Sequence, residues 1–248
     1  MTPALKAEFR KLFTVRSTYI FIALAVLFVI FFAFYIEGYK LSAADLHDPH
    51  LLTKDITGAL SSLPMVFGAI VAILLMTHEY RYNTIMYTLT SSNSRSKILL
   101  AKLLVVSGFA LLFTLLIGVL SPLMSYLGVL AHGHTLVPQT IDYGSIIWRG
   151  LFYGWAYLSV GLVLAVLIRN QIGAIVSLFV IPTFEQVLGL LLKTNTVYLP
   201  FTSLNAVLTG PDPKQGSITY AHAAEVFLIY LVVGWIVAWI LFLRRDVN

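Results

Sequence analysis

Six long apolar runs determine what this chain can fold into. They cover residues 19–36, 56–77, 103–121, 146–168, 172–192 and 226–243, and the only charged side chains within them are Arg149 and Glu185. A helix of about 20 apolar residues crosses a hydrocarbon core of about 30 Å, and lipid obliges each span to satisfy its own backbone groups. The alternating strands of a membrane barrel do not match unbroken runs of this length. The sequence therefore predicts an all-α membrane protein with six transmembrane helices.

The composition excludes a soluble globular protein. Of the 248 residues, 59% are hydrophobic and 11% are charged, against roughly 25% charged in an average soluble domain. The chain has no cysteine, which excludes a disulfide framework and a thiolate metal site. We interpret residues 1–248 as a single transmembrane domain.

Lysine and arginine indicate which side of the membrane each connection faces. With the N-terminus inside, the inner set is Lys6, Arg10, Lys11, Arg16, Arg81, Arg95, Lys97, Lys102, Arg169, Arg244 and Arg245. The outer set is Lys40, Lys54, Arg149, Lys193 and Lys214. These eleven inner and five outer residues account for all 16 basic residues, so the positive-inside rule places both termini and residues 78–102 in the cytosol. Because this charge serves topology and lipid headgroups in a cytoplasmic membrane, we expect no nucleic-acid partner.

Residues 1–16 are predicted to form an amphipathic helix that lies in the headgroup layer. Its apolar side chains are Leu5, Phe9, Leu12 and Phe13, and its basic side chains are Lys6, Arg10 and Lys11. The alternative is the basic start of a signal peptide. The apolar run that follows is longer than the 7–15 residues typical of a signal peptide, which argues against this alternative.

Prolines leave two features of the spans open. Pro64 lies inside the second span and is expected to kink its outer half. Residues 98–131 would form one helix of about 51 Å. Either that helix extends beyond the membrane, or Pro122 breaks it near the outer face. After the fifth span, residues 193–225 form a long outer segment with a predicted turn at residues 210–213.

The segment at residues 78–102 is the longest polar connection on the inner side. Glu79 and Arg81 flank Tyr80, and Tyr82 follows at a spacing that permits a short amphipathic helix. One interpretation is an interfacial helix that only binds lipid headgroups. We favour a second interpretation, in which this segment contacts a partner outside the membrane.

The same segment resembles the signature of the ABC-2 type permease family. That signature reads Glu-x-Arg-x-Gly-Thr, then Leu-Thr, then Pro-x-Arg, then Ala-Lys at the start of the third span. The matching positions here are Glu79, Arg81, Thr84, Leu89, Thr90, Arg95, Ala101 and Lys102. The chain departs from the signature at Asn83, where glycine is usual, and at Asn93, where proline is usual. The Leu199-Pro200 pair also resembles the family, as does the six-span arrangement.

The resemblance implies the transmembrane subunit of an ABC transporter, acting as an exporter. Two such subunits, identical or different, would pair, and each would dock on a separate ATP-binding subunit. Residues 78–102 would be the coupling helix, with Glu79, Tyr80, Arg81, Tyr82, Thr84, Arg95 and Lys102 as its coupling residues. The N-terminal helix is similar to the family's elbow helix, and residues 193–225 would form short helices that dip back toward the membrane and cap the pathway.

Other functional classes remain as alternatives. The chain has no Gly-x-x-x-x-Gly-Lys-Ser/Thr loop to bind phosphates, so we expect no ATP hydrolysis and no cofactor. A membrane scaffold or substrate-capture protein without an ATPase partner is the main alternative. A membrane enzyme is disfavoured because no span carries a second acid or a histidine beside Glu185. The sequence does not choose among a drug, a peptide, a lipid-linked molecule and an ion as cargo.

The remaining polar residues have two interpretations each. Glu185, in the outer half of the fifth span, is either a pathway or gate residue or a structural hydrogen-bond partner. Arg149 is expected to snorkel toward water. Histidines and acids in the outer loops could bind zinc or copper, but no helical spacing fixes them, so we predict no metal site. These outer residues are Asp45, His47, Asp48, His50, His132, His134 and His222.

Overall fold

The computed structural model describes residues 2–42, 44–82, 84, 87, 95–210 and 218–244. Of the described residues, 87% are helical, and no strand occurs among them. In this described part of the chain, six helices are long and apolar enough to cross a membrane. These observations confirm the predicted all-α class and the number of spans.

Nine α-helices make up the described part of the chain. They are α1 (Thr2–Thr14), α2 (Arg16–Val29), α3 (Leu51–Ser61), α4 (Leu63–Arg81), α5 (Arg95–Ala131), α6 (Tyr143–Ile168), α7 (Gln171–Leu192), α8 (Pro200–Thr209) and α9 (Tyr220–Arg244). A π-helix at Ile30–Tyr39 extends α2 to complete the first span, and 3-10 turns lie at Asp45–His47 and Lys193–Tyr198. The second span consists of α3 and α4 in succession.

The second and fourth spans form the centre of the bundle. In the most apolar window of each of them, 67% of the residues are buried, against 11% in the fifth span. Ile73 and Met76 of α4 and Leu158 and Leu162 of α6 are fully enclosed, and they belong to one continuous apolar cluster. The fifth span therefore presents most of its surface outward, where lipid or another subunit can cover it.

The two prolines have different effects on their helices. The second span is interrupted at Ser62, whose backbone is extended, and Pro64 lies in the first turn of α4, where its missing N–H costs nothing. Pro122 lies inside α5, which continues without interruption over 37 residues. At 1.5 Å per residue α5 is about 55 Å long, so it exceeds the apolar core. Of the two alternatives that the sequence left open, the unbroken helix is the one observed.

The first and third spans cross in direct backbone contact at their outer ends, where inner and outer refer to the predicted orientation. A Cβ atom on Gly38 would lie 2.5 Å from the carbonyl oxygen of Ser125, and one on Gly128 would lie 2.1 Å from that of Phe34. Side chains are absent at this crossing because the backbones occupy the space. Small residues at helix contacts are typical of membrane bundles, where close packing replaces the hydrophobic effect.

Candidate functional site

The predicted coupling residues lie where the inner ends of several helices meet. Arg81, the last residue of α4, donates to the Gln171 side chain at the start of α7 over 3.5 Å. Arg95, the first residue of α5, donates to the carbonyl oxygen of Leu243 near the end of α9 over 3.2 Å. The two helices that flank the polar segment therefore also contact the fifth and sixth spans.

Four charged side chains form a closed ring beside these helix ends. We call Glu8, Lys11, Glu79 and Lys102 the ion ring. The Lys102 ammonium lies 2.8 Å from the Glu8 carboxylate and 3.0 Å from the Glu79 carboxylate. Lys11 lies 2.7 Å from Glu8 and also pairs with Glu79. Each cation thus contacts both anions, and positive and negative groups alternate around the ring.

The ion ring connects three helices. Glu8 and Lys11 belong to α1, Glu79 to the end of α4 and Lys102 to the first third of α5. Lys102 is 0% exposed and also donates to the carbonyl oxygen of Leu75 over 3.1 Å, while Glu8 is 2% exposed. Buried charges persist only when they are paired and hydrogen-bonded, so Glu8, Glu79 and Lys102 depend on one another, while Lys11 is partly exposed.

Lys11 differs from the sequence expectation. It was predicted on the basic side of the N-terminal helix, toward lipid headgroups, yet it faces Glu8 and Glu79. Burial lowers the pKa of Lys11, but the hydrogen bonds and charges of Glu79 and Glu8 outweigh burial and raise the pKa above the ordinary lysine value. The stabilisation from this ammonium is therefore fully present at neutral pH and is lost only as pH rises through the raised pKa.

The other predicted coupling residues are more accessible. Tyr80 is partly buried, and the Arg169 guanidinium lies 5.3 Å from the centre of its ring. Arg81, Tyr82 and Thr84 are exposed, and the exposed fraction of Tyr82 is 64%. Asn83, Leu89, Thr90 and Asn93 of the family signature lie outside the described residues, as does most of the predicted turn at 210–213. The described coupling residues therefore comprise a buried pair, Glu79 and Lys102, a partly buried pair, Tyr80 and Arg95, and an exposed group.

A cavity of 520 Å³ separates part of α1 from α4. Leu12 and Lys11 line it from the N-terminal helix, and Leu74 and His78 line it from the second span. Tyr82 lies at its inner edge, together with Thr84 and Tyr87. Along this face the two helices are joined by ion pairs in place of continuous apolar packing.

A second pair of buried charges lies at the outer end of the bundle. Glu185 of α7 accepts hydrogen bonds from the backbone N–H groups of Phe201 and Thr202, at 2.9 and 3.0 Å. These are first-turn donors of α8, which have no partner within the helix. The capping position, Leu199, has no side-chain acceptor, so Glu185 supplies it from another helix.

Arg149 binds the opposite end of α8. It was predicted to snorkel toward water, and this prediction is wrong, because the side chain is only 8% exposed. Its guanidinium donates to the carbonyl oxygen of Leu208 over 3.3 Å and stacks on the Tyr220 ring at 4.4 Å. The unpaired carbonyl of a helix end, together with an aromatic face, satisfies the cation more effectively than a route to water.

The charges at the two ends of α8 match the polarity of its backbone. A helix carries partial positive charge at its N-terminus and partial negative charge at its C-terminus. Glu185 lies at the N-terminus of α8 and Arg149 at its C-terminus. In the middle of the helix, the Tyr153 hydroxyl donates to Asn205 over 3.2 Å. The fourth and fifth spans thus hold the outer helix at three points. Of the two roles proposed for Glu185, these contacts support the structural one.

The outer histidines form no metal centre among the residues that the structure describes, where no group of three or more His, Cys, Asp or Glu side chains is suitably arranged. The rings of His132 and His134 lie 4.8 Å apart, and Tyr39 packs edge-on against His132. Asp48 pairs with Lys54 at 2.5 Å. Only the contact between Tyr39 and His132 therefore joins two different outer connections among these three, and the other two are local.

Sequence reasoning did not identify Glu8, Lys11 or Arg149 as site residues. Glu8 had one signal that could have singled it out, because it is the only acidic residue among the first sixteen, which otherwise carry lysine and arginine. An isolated acid on a basic helix suggests a specific cation partner. Nothing in the spacing of residues 8, 79 and 102 indicated which cation that is.

A known protein family matches most of this chain. A family model described as ABC-2 family transporter protein matches residues 4–186, which include the whole ion ring and extend into the fifth span. No curated protein matches the chain. The matched region covers well over half of the 248 residues. The chain therefore belongs to the ABC-2 family of transporter proteins and is a multi-pass membrane permease, a transport component rather than an enzyme.

Proposed function

We propose that this permease is the transmembrane subunit of an ABC exporter in the cytoplasmic membrane. It pairs with a second permease subunit and receives energy from a separate ATPase that docks at residues 78–102. One observation carries this proposal: exposed side chains of the polar segment are attached to helix ends joined by the buried ion ring. A force applied to the segment therefore enters α4, α5 and the N-terminal helix together.

The coupling residues have two roles in this mechanism. Arg81, Tyr82 and Thr84 are exposed and provide contacts to the ATPase. Glu79 and Lys102 are too deeply buried to contact another subunit, so they transmit the force. When ATP binding brings the two ATPases together, the inner ends of the spans are displaced, and the bundle changes between two packed arrangements.

The outer helix α8 is the part of the permease that closes the exit side in this proposal. Its ends are bound to Glu185 of the fifth span and Arg149 of the fourth span, so a relative movement of these spans displaces it. Export is the direction that the family resemblance favours.

Tyr82 and Tyr143 provide a test of topology. The chain has no cysteine, so a single Tyr82→Cys or Tyr143→Cys variant carries one reactive thiol. Both side chains are highly exposed, at 64% and 66%, and they lie at opposite ends of the bundle. We expect a membrane-impermeant maleimide to label position 143 in intact cells and position 82 only in inverted vesicles. Labelling of position 82 from outside the cell would overturn the proposed docking side.

The same two tyrosines test the docking surface. Tyr82→Ala removes an exposed aromatic side chain, and aromatic residues carry much of the energy of typical interfaces. We expect it to weaken ATPase binding about tenfold or more, the range seen for interface hot spots. Co-purification of the permease with a Walker-type ATPase encoded by a neighbouring gene measures the effect.

Tyr143→Ala is the matched control and should leave the complex intact. If Tyr82→Ala binds the ATPase as well as the control does, the docking surface is elsewhere. If the unaltered permease brings down no ATPase at all, the alternative of a membrane scaffold or capture protein takes precedence.

A further inference from the structure

The ion ring makes the N-terminal helix part of the coupling site. Residues 79 and 102 lie at the two ends of the polar segment, and each pairs with one side chain of α1, Glu79 with Lys11 and Lys102 with Glu8. Glu8 reaches Lys102 and Lys11, and Lys11 reaches Glu79. Two of the four ion pairs thus bind α1 to the segment, and they connect positions 68 and 94 residues apart in the sequence.

Apolar packing joins α1 to α5, and Leu12 belongs to the apolar core, but such packing does not join α1 to α4. On the side of α4, the cavity of 520 Å³ separates Leu12 and Val15 from Val71 and Leu74. Leu5, Phe9 and Phe13 of α1 point outward and are exposed. The attachment of α1 to the end of α4 therefore depends on the ion pair between Lys11 and Glu79, while Glu8 pairs with Lys102 of α5.

We propose that Glu8 and Lys11 are positioning residues for energy coupling, which fix the N-terminal helix to both ends of the coupling segment so that the three move as one body. The part of this inference that concerns energy rests on the proposed docking of an ATPase at residues 78–102. The part that concerns attachment rests only on the ion ring.

The alternating order of charges gives this proposal a specific signature. Glu8→Gln alone leaves two cations facing one carboxylate, with Lys102 completely buried. The double variant Glu8→Gln/Lys11→Gln leaves one cation facing one carboxylate, so it restores the balance among the four side chains while it removes the attachment of α1. We therefore expect the double variant to unfold at a higher temperature than the Glu8→Gln single variant, although it carries one more substitution.

Spin labels measure the attachment directly in the full chain. Lys6 and Tyr82 are exposed, and the absence of native cysteine allows both to be replaced by cysteine and labelled. In lipid nanodiscs we expect a narrow distribution of distances between the two labels in the otherwise unaltered permease. The double variant should broaden this distribution. The single variant Lys11→Arg keeps the cation and should therefore retain the narrow distribution.

The exposed outer pair of Asp48 and Lys54 supplies the matched control. Asp48→Asn/Lys54→Gln also removes one anion and one cation, and it should leave the distance between the labels unchanged. A narrow distribution in Glu8→Gln/Lys11→Gln would overturn the proposal, because the helix would then be held by something other than the ring.

A second measurement separates this proposal from the proposed function. In the complex with the ATPase, we expect the double variant to lower kcat for ATP hydrolysis by about tenfold and to leave KM for ATP unchanged, a size typical of coupling between sites. An unchanged kcat would overturn the coupling role of Glu8 and Lys11. If the unaltered permease binds no ATPase, the proposed function fails, whereas the distance measurement still decides whether the ring holds the helix.

Discussion

Lys102→Met is expected to prevent the permease from folding stably. The substitution keeps most of the apolar stem but removes the ammonium, so the carboxylates of Glu8 and Glu79 lose the cation that lies between them. Removing one partner of a buried ion pair typically costs about 3–5 kcal/mol, because an uncompensated charge remains. That amount is a large share of the stability of an ordinary domain, about 5–15 kcal/mol. We expect a low yield of folded protein and a thermal transition lowered by many degrees in detergent.

Lys97→Met is the control for this prediction. Lys97 lies five residues earlier on the same helix and is exposed, so its replacement should change stability by no more than about 0.5 kcal/mol. If Lys102→Met and Lys97→Met unfold at the same temperature, the ring contributes little and its role in attachment must be rejected as well. Both variants change one lysine to methionine, which removes any difference in composition.

Glu185→Leu is expected to release the outer helix α8 without unfolding the bundle. The variant leaves the backbone N–H groups of Phe201 and Thr202 without their acceptor, and an unsatisfied buried donor costs about 1–3 kcal/mol. Amide hydrogen exchange across residues 200–209 should accelerate about 10- to 100-fold, since each 1.4 kcal/mol of local stability changes the exchange rate tenfold. Export should fall with the loss of order in this helix.

Two substitutions distinguish capping from other effects of Glu185. Glu185→Gln retains an oxygen that can accept from both N–H groups. The rate of amide exchange across residues 200–209 should therefore stay near that of the unaltered protein. Gln186→Leu places the same new side chain at the neighbouring exposed position and should also have no effect. If Glu185→Gln accelerates exchange as much as Glu185→Leu does, the negative charge itself is required. If Glu185→Gln leaves export unchanged, a role of this charge in the transport pathway is excluded.

The spans could be predicted from sequence because the signal for them is local. A run such as residues 103–121 is apolar over its whole length, and lipid permits only a helix there. The behaviour of the prolines was less predictable. Ser62 and Pro64 together interrupt the second span, whereas Pro122 leaves α5 continuous, and the difference depends on neighbouring helices that the sequence does not reveal.

The charge partners could not be predicted because they are distant in sequence. Arg149 binds a carbonyl 59 residues away, and Lys102 binds an acid 94 residues away. For Arg149 the sequence suggested water as the partner of the cation, because nothing in the sequence showed that helix α8 lies beside it. The family signature did single out Glu79 and Lys102, but only the fold shows that they contact each other through helix α1 as well as directly.

The contact between Gly38 and Gly128 also limits how the bundle can respond to an applied force. At this crossing neither the first nor the third span can move closer, since backbone meets backbone. The crossing can therefore act as a pivot near the outer surface, with the continuous α5 as a rigid arm. From Gly128 to Ile98 this arm measures about 45 Å, so each degree of rotation shifts its inner end by about 0.8 Å. A small angular change at the crossing thus corresponds to a displacement of several ångströms at the opposite end of α5.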